Sequence, residues 1–256
     1  MIDVNTFIGA YPWRPVHGTE PWDLLAALDR VGIAEAWVSH LPSLYWKDPA
    51  AGNAVLLDLA ARERRLHAVP AVHPGLPHWE DDLAEARAHG VVAVRCDPGL
   101  LGLPPSGAEI TSLIRRAGEL SLPVLSAVRL EDGRGRHPLD VSPELPPWAV
   151  RAWLRSSPLT RLVITHADRA FIEEVHWGST PEEAARVWWD ISWIWGPPED
   201  DLCHLLAAIG TGRFLFGSSQ PLRIPEVACA RLDLLDLSAE DRAAITFRNA
   251  LALAGK

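Results

Sequence analysis

The segment AGNAVLLDLAARERRLHAVPAVHPG, residues 51–75, contains the structural unit that the rest of the chain repeats. Its first part, residues 52–65, has apolar residues at helical spacing with charged residues between them, as in an amphipathic helix. The run that follows, residues 66–72, is short and apolar and is bounded by Pro and Gly, which is typical of a buried strand. The pattern therefore predicts a helix followed by a strand.

The same alternation extends over the whole chain of 256 residues. Predicted strands cover residues 2–4, 33–39, 66–72, 91–95, 123–128, 161–165, 187–191 and 213–216. Amphipathic segments separate them, and Gly32, Gly90 and Gly118 lie at or near predicted helix ends, where a left-handed residue is favoured. Apolar strands that alternate with helices indicate a parallel sheet buried on both faces.

Repeats of this number and size predict an α/β fold, a closed (β/α)8 TIM barrel with a single domain spanning residues 1–256. An open doubly wound sheet is the second choice. It is less favoured because no Gly-x-Gly-x-x-Gly motif follows any predicted strand.

Composition restricts the classes of partner. A formal net charge of −9 argues against a nucleic-acid surface, and no apolar run approaches the ~20 residues of a membrane span. The cysteines, Cys96, Cys203 and Cys229, are far apart and form no CxxC motif, so we expect reduced thiols in a cytoplasmic protein. The predicted partner is a small-molecule ligand, and assembly into a homo-oligomer stays open.

In a TIM barrel, chemistry takes place at the C-terminal ends of the strands and in the loops that follow. These positions can be read from the predicted strand ends. The polar residues there are Asn5, Ser39, His40, His73, Arg95, Asp97, Ser126, Arg129, His166, Asp168, Asp190, Ser192, Ser218, Ser219 and Gln220.

The order of motifs along the chain is characteristic. They are MIDVNTFIG (1–9), residues 51–75 quoted above, GVVAVRCDP (90–98), LPVLSAV (122–128), RLVITHAD (161–168), WWDIS (188–192), GRFLFGSSQP (212–221) and RNALAL (248–253). In this order they resemble the amidohydrolase superfamily, specifically the amidohydrolase-related branch that includes aminocarboxymuconate-semialdehyde decarboxylase-like enzymes. The resemblance implies a TIM barrel and a hydrolase or carbon–carbon lyase.

The resemblance also implies a divalent metal such as Zn, but most of its ligand positions are substituted. The family's strand-one His-x-His corresponds to Asn5 and Phe7, and its strand-eight Asp corresponds to Ser219. Its strand-five His falls at about Ser126 or Ala127, and only the strand-six His is matched, by His166. A benzene ring has no lone pair for a metal, and amide and hydroxyl oxygens are weak ligands for a transition ion. We therefore expect no metal ligands and no cofactor.

Several roles for the polar residues stay open. His166 is a candidate general base or a structural histidine, and Asp190 and Arg95 are the other candidate catalytic residues. Arg95 could clamp a substrate carboxylate or pair with Asp190 inside the barrel. His40, His73 and His166 together could form a relocated metal site, although their spacing gives no support for one. The expected substrate-binding residues are Asn5, His73, Arg129, Ser219 and Gln220.

Two functional hypotheses follow. In the first, the chain is an amidohydrolase-like barrel that has lost the metal site, a pseudoenzyme that binds a small polar or carboxylated molecule at the barrel mouth. In the second, it is an active hydrolase or decarboxylase-like lyase that uses His166 with Arg95 and Asp190, or a relocated metal site.

Overall fold

The computed structural model describes residues 1–194, 196–197 and 200–255. The strands are β1 (Ile2–Ile8), β2 (Glu35–His40), β3 (Leu66–Ala68), β4 (Val94–Arg95), β5 (Val124–Ala127), β6 (Leu162–Thr165), β7 (Val187–Asp190) and β8 (Phe214–Leu215). The helices are α1 (Pro21–Val31), α2 (Ala50–Arg62), α3 (Trp79–Ala88), α4 (Pro98–Leu101), α5 (Ala108–Glu119), α6 (Pro147–Ser156), α7 (Arg169–Trp177), α8 (Pro181–Ala184), α9 (Asp201–Ile209), α10 (Pro225–Asp233), α11 (Ala239–Ala243) and α12 (Asn249–Leu253). Short 3₁₀ turns cover Pro42–Tyr45 and Thr211–Arg213, and a π-helical turn covers Ala244–Arg248.

Parallel pairing arranges the strands as two sheets, in the orders β1-β2-β3 and β4-β5-β6-β7-β8. Backbone hydrogen bonds join the sheets at both edges. Between β3 and β4, Arg95 N donates to the Pro70 carbonyl at 2.8 Å, and between β8 and β1, Val4 N donates to the Phe216 carbonyl at 2.9 Å. All of the strands therefore surround one interior, and the predicted barrel is confirmed.

The first strand is longer than predicted. The prediction ended it at Val4 because Asn5 and Thr6 interrupt the apolar run, but β1 continues to Ile8 and every residue in it is buried. Thr6 remains in the strand because its hydroxyl donates to the Trp37 carbonyl at 2.8 Å. Asn5 therefore lies within a strand and not at its end.

Local sequence signals set the helix boundaries. The side chain of Asp168 accepts from Phe171 N at 2.9 Å at the start of α7, and Thr180 and Glu183 form a capping box around α8. Gly32 ends α1 with φ of 70°, as its position predicted. Within the described part of the chain, no helix has the length and apolar character needed to cross a bilayer.

Buried side chains form three apolar layers. The outer layer lies between strands and helices and includes Leu28 and Ile164. Inside the barrel, a lower layer includes Val4, Trp37, Val69, Leu125, Val163 and Leu215, and an upper layer includes Phe7, Tyr11, Leu41, Leu44, Ala71, Ala127 and Leu130. The upper residues follow the lower ones along parallel strands, so the upper layer lies nearer the C-terminal mouth.

The lower layer should contribute strongly to stability. Replacing Trp37, which is 2% exposed, by Ala would leave a cavity that costs roughly 3–5 kcal/mol of unfolding free energy. The matched change Trp22→Ala removes a side chain that is 66% exposed and should alter stability by less than about 0.5 kcal/mol. Urea unfolding followed by circular dichroism measures the free energy of unfolding of both variants. Equal losses of stability in the two would contradict the placement of Trp37 in the lower layer.

Candidate functional site

A polar layer separates the two apolar layers inside the barrel. Its members come from the strands and from the loops that follow them, and they are each 3% exposed or less: Asn5, Ser39, Arg95, His166, Asp190, Ser192 and Ser219. Buried polar groups are costly unless they are hydrogen-bonded, and buried charges must be compensated. The contacts between these side chains therefore decide whether the layer is stable.

The Asn5 side chain connects the two charged members of this layer. Arg95 Nη2 donates to Asn5 Oδ1 at 2.9 Å, and Asn5 Nδ2 donates to Asp190 Oδ2 at 2.8 Å. The sequence left open a direct ion pair between Arg95 and Asp190. The structure instead places one amide between them, with its acceptor toward the cation and its donor toward the anion.

The rest of the Arg95 guanidinium is held by neighbouring strands. Its Nε donates to Ser39 Oγ at 3.0 Å, and its Cζ lies 4.8 Å from the centroid of the Phe7 ring. Asp97 Oδ2 lies 3.8 Å from Nη1. Burial lowers the pKa of Arg95, whereas the carboxylates of Asp97 and Asp190 oppose that shift. Because arginine is effectively always protonated in proteins, the barrel contains a fixed positive charge.

Asp190 is the buried counter-charge. Besides Asn5, it accepts from Ser192 Oγ at 2.7 Å and from the backbone N of His166 at 3.0 Å. Burial raises the pKa of Asp190, and these hydrogen bonds, together with the charge of Arg95, act in the opposite direction.

His166 points into the barrel because of its backbone conformation. Alternation along β6 would direct residue 166 toward the helices, as it does Ile164, but a φ of 57° turns the chain after Thr165. His166 Nε2 lies 2.5 Å from Ser219 Oγ and 3.3 Å from Asn5 Nδ2. Ser219 also has a positive φ, 66°. Such conformations are uncommon outside glycine and cluster at functional sites.

The His166 ring is neutral. Burial lowers its pKa well below the ordinary value, and the positive charges of Arg223, Arg95 and Arg129 lower it further. Asn5 Nδ2 donates to Ser219 Oγ at 3.1 Å, so the serine hydroxyl has its own proton available for His166 Nε2. Ser219 Oγ and Asn5 Nδ2 can both donate to Nε2, whereas Nδ1 has no hydrogen-bond partner among the described residues.

Two arginines and one tryptophan lie beside His166 at the barrel mouth. The Trp193 ring meets the His166 ring edge-on, with centroids 5.3 Å apart. The Cζ atoms of Arg223 and Arg129 lie 3.9 Å and 5.9 Å from the Trp193 centroid. Arg129 Nη2 also lies 3.3 Å from carboxylate oxygens of both Asp168 and Glu144. Arg223 was missed by the sequence analysis, because it lies in the loop after β8 and no motif marks it.

The mouth is covered by the loops that follow β1 and β5, which we term the mouth cover, residues 9–20 and 129–142. Trp13 stacks on His137 with centroids 5.3 Å apart, and Arg14 Nη2 pairs with Glu131 Oε1 at 2.7 Å. The upper apolar layer lies beneath these contacts. In this conformation the polar layer is closed to solvent.

The structure brings together five of the predicted site residues: Asn5, Arg95, His166, Asp190 and Ser219. Gln220, which follows Ser219 in the sequence, is also buried. Arg129 lies at the barrel mouth. His73 shows no contact with the polar layer; its Nδ1 accepts from Gly75 N at 3.1 Å. Within the described residues, no three His, Cys, Asp or Glu side chains are placed together as a metal site would require.

The residues present do not fit the divalent metal that the resemblance implies. Positions 5, 7, 166 and 219 do converge, since Asn5 and Phe7 contact Arg95 while His166 and Ser219 contact Asn5. His166 is the one strong donor among them, the Asn5 oxygen accepts from Arg95, and the guanidinium would repel a second cation. On β5, alternation directs Ala127 inward, where Leu125 also points, and leaves Ser126 on the opposite face.

The sequence and the structure of the chain can be compared with those of known proteins. No family model and no curated protein matches the sequence. Among solved structures, the chain is similar to 2,6-dihydroxybenzoate decarboxylase from Rhizobium, with a TM-score of 0.74, 16% identity, and 99% of this chain and 98% of that chain covered.

Two further structures are similar over nearly their whole length. A probable 2-pyrone-4,6-dicarboxylic acid hydrolase from Acinetobacter baumannii gives a TM-score of 0.67 at 15% identity, covering 100% of this chain and 99% of that chain. An amidohydrolase from Burkholderia multivorans gives a TM-score of 0.68 at 17% identity, covering 99% of this chain and 98% of that chain. The chain therefore has the TIM-barrel fold of these amidohydrolase-superfamily proteins, which confirms the resemblance at the level of fold.

Removing the bridging amide should destabilise the barrel strongly. Asn5→Ala leaves Arg95 and Asp190 without their shared partner, so we expect a loss of roughly 3–5 kcal/mol. The control Asn53→Ala removes hydrogen bonds to the neutral backbone of Ala71 only and should cost about 2 kcal/mol. Chemical denaturation distinguishes the two, and a smaller loss for Asn5→Ala would show that the amide does not link the charges.

The buried neutral His166 should make stability depend on pH. The unfolded chain takes up a proton below pH 6.5, the ordinary histidine pKa, whereas folded His166 does not. Stability should therefore fall as pH drops below 6.5, by up to about 1.4 kcal/mol per pH unit from this group. His166→Gln should remove that component, whereas Ser219→Ala, which keeps the imidazole, should retain it. Identical pH slopes for wild type and His166→Gln between pH 5 and 7 would contradict the assignment.

Proposed function

We propose that this chain is an enzyme of the hydrolase or decarboxylase type that acts on a small carboxylated molecule at the barrel mouth without a divalent metal. The observation that carries the proposal is the pair of guanidinium groups, Arg129 and Arg223, over the Trp193 ring beside a neutral His166. Arginine binds carboxylates through paired N–H donors, and Arg129 already lies 3.3 Å from the Asp168 and Glu144 carboxylates, so a ligand carboxylate would take the place of these at the mouth.

The polar layer supplies the groups that acid–base chemistry requires. His166 is neutral at ordinary pH and is hydrogen-bonded to Ser219, so it can accept or relay a proton. Arg95 provides a fixed positive charge that would stabilise negative charge developing on a bound substrate. Asp190 acts as a positioning residue, since it holds both the Asn5 amide and the His166 backbone.

Substrate must reach these groups through the mouth cover. The contacts that close it, Trp13 with His137 and Arg14 with Glu131, join two loops and involve partly exposed side chains. Exposed ion pairs contribute little to stability, typically less than about 1 kcal/mol, so the main cost of opening this cover is the exposure of Tyr11 and Leu130, its buried apolar side chains.

Similar structures support the choice of substrate class. The names of two of them specify carboxylated molecules, 2-pyrone-4,6-dicarboxylic acid and 2,6-dihydroxybenzoate, and the former structure contains citric acid. The absence of a metal requirement rests on the donor set, because Phe7 offers no lone pair and the Asn5 oxygen accepts from Arg95.

A second candidate is a pseudoenzyme that binds the carboxylated molecule without turnover. The closure of the polar layer favours it, since His166, Asp190 and Ser219 are fully buried and apolar side chains lie above them. The two candidates share the binding site at the mouth and differ in whether His166 meets the ligand.

Calorimetric titration with 2,6-dihydroxybenzoate and with 2-pyrone-4,6-dicarboxylate tests binding. Arg129→Gln and Arg223→Gln should each weaken binding of the better ligand at least ~10-fold, the loss of about one charge-assisted hydrogen bond. The control Arg62→Gln, at a surface ion pair on α2, should not change it. Chelator should leave both affinity and melting temperature unchanged.

Turnover separates the two candidates. Release of CO₂ or hydrolysis of the pyrone ring by wild type, lost in His166→Gln while binding persists, would establish the enzyme. Binding without product formation would favour the pseudoenzyme. Failure of both carboxylates to bind, or a loss of binding in chelator, would contradict the proposal.

A further inference from the structure

We infer that Arg95 determines which ions the barrel interior accepts: its guanidinium takes the place of a bound metal, so that divalent cations are excluded and negatively charged groups are favoured. The favouring of anions rests on the proposed function, whereas the exclusion of metals stands on the interior geometry alone. The resemblance implies a cation held by residues of strands one, five, six and eight, and here the cation belongs to the chain itself.

The convergence of positions 5, 7, 166 and 219 has been preserved. Asn5 and Phe7 lie on β1 and both contact the Arg95 guanidinium, at 2.9 Å from Oδ1 and 4.8 Å from the ring centroid. His166 and Ser219 both contact the Asn5 Nδ2 atom. His166 and Ser219 therefore lie on the Nδ2 side of the Asn5 amide, and the Arg95 guanidinium lies against its oxygen and beside the Phe7 ring.

The orientation of the Asn5 amide works against a metal as well. Its Nδ2 points toward Asp190, Ser219 and His166 and presents N–H groups, which cannot coordinate a cation. Its oxygen is engaged by Arg95. This orientation follows from the charges on either side, because a reversed amide would direct oxygen at Asp190 and N–H at Arg95.

The charge of Arg95 acts at short range in a medium of low dielectric. The residue is 1% exposed, so solvent screens it little. A divalent ion placed among positions 5, 7, 166 and 219 would lie next to this positive charge. Supplying better donors should therefore be insufficient for metal binding while the guanidinium remains.

The experiment restores the missing donors with and without the guanidinium. The triple variant N5H/F7H/S219D, together with His166, offers zinc four donors of the type that it prefers. We expect less than about 0.1 equivalent of Zn²⁺ after equilibrium dialysis of this variant. Adding R95M should raise Zn²⁺ to about one equivalent. The control R129M, which removes a guanidinium at the mouth instead, should leave the triple variant without zinc.

Zinc uptake by the triple variant with Arg95 in place would overturn the inference, and so would failure of the folded R95M quadruple variant to bind zinc. If circular dichroism shows that the triple variant does not fold, F7H/S219D and F7H/S219D/R95M, which keep Asn5 and offer three donors with His166, are compared by their Zn²⁺-induced shift in melting temperature. A shift confined to the R95M member supports the inference, and equal shifts or none overturn it.

This experiment uses no carboxylate and no turnover assay. Its failure would therefore leave the proposed function standing, whereas loss of carboxylate binding would leave the metal result unaffected.

Discussion

The interior of this barrel depends on one amide placed between two buried charges. A guanidinium and a carboxylate inside a protein each cost several kcal/mol of desolvation unless the surrounding dipoles compensate them. The Asn5 oxygen accepts from Arg95 and its Nδ2 donates to Asp190, so both charges are compensated by one side chain. A neutral hydrogen bond contributes only about 1 kcal/mol to stability, so the charged members set the energy of this layer. The other polar side chains are arranged around these two groups: Ser219 and His166 contact Asn5 Nδ2, and Ser192 donates to Asp190.

The fold and the site have been under separate constraints. A closed barrel cannot lose a strand without exposing a sheet edge, and β1 is therefore required whatever side chains it carries. Asn5 and Phe7 show how far those side chains can depart from metal ligands while the strand stays paired in parallel with β2, with a register shift between Asp3 and Thr6. Likeness to hydrolases and decarboxylases accordingly describes the scaffold, and the chemistry must be argued from the site.

Much of the fold could be predicted from the sequence, because the alternation of apolar strands and helices is a local signal. The same signal identified Asn5, Arg95, His166, Asp190 and Ser219 as polar residues near strand ends. It could not supply their contacts, since Arg95 and Asp190 lie 90 and 185 residues from Asn5. The inward turn of His166 depends on a positive φ, which alternation does not predict. The cation–π contacts of Trp193 involve loop residues without a periodic pattern.

The most direct measurement of the central claim is a crystal structure of the purified protein at high resolution, with anomalous data collected at the zinc, iron and manganese edges. We expect the Arg95 guanidinium between Asn5 and Phe7, the Asn5 amide directed at Asp190, and no anomalous peak among positions 5, 7, 166 and 219. An anomalous peak at that place, with Arg95 displaced from it, would contradict the account.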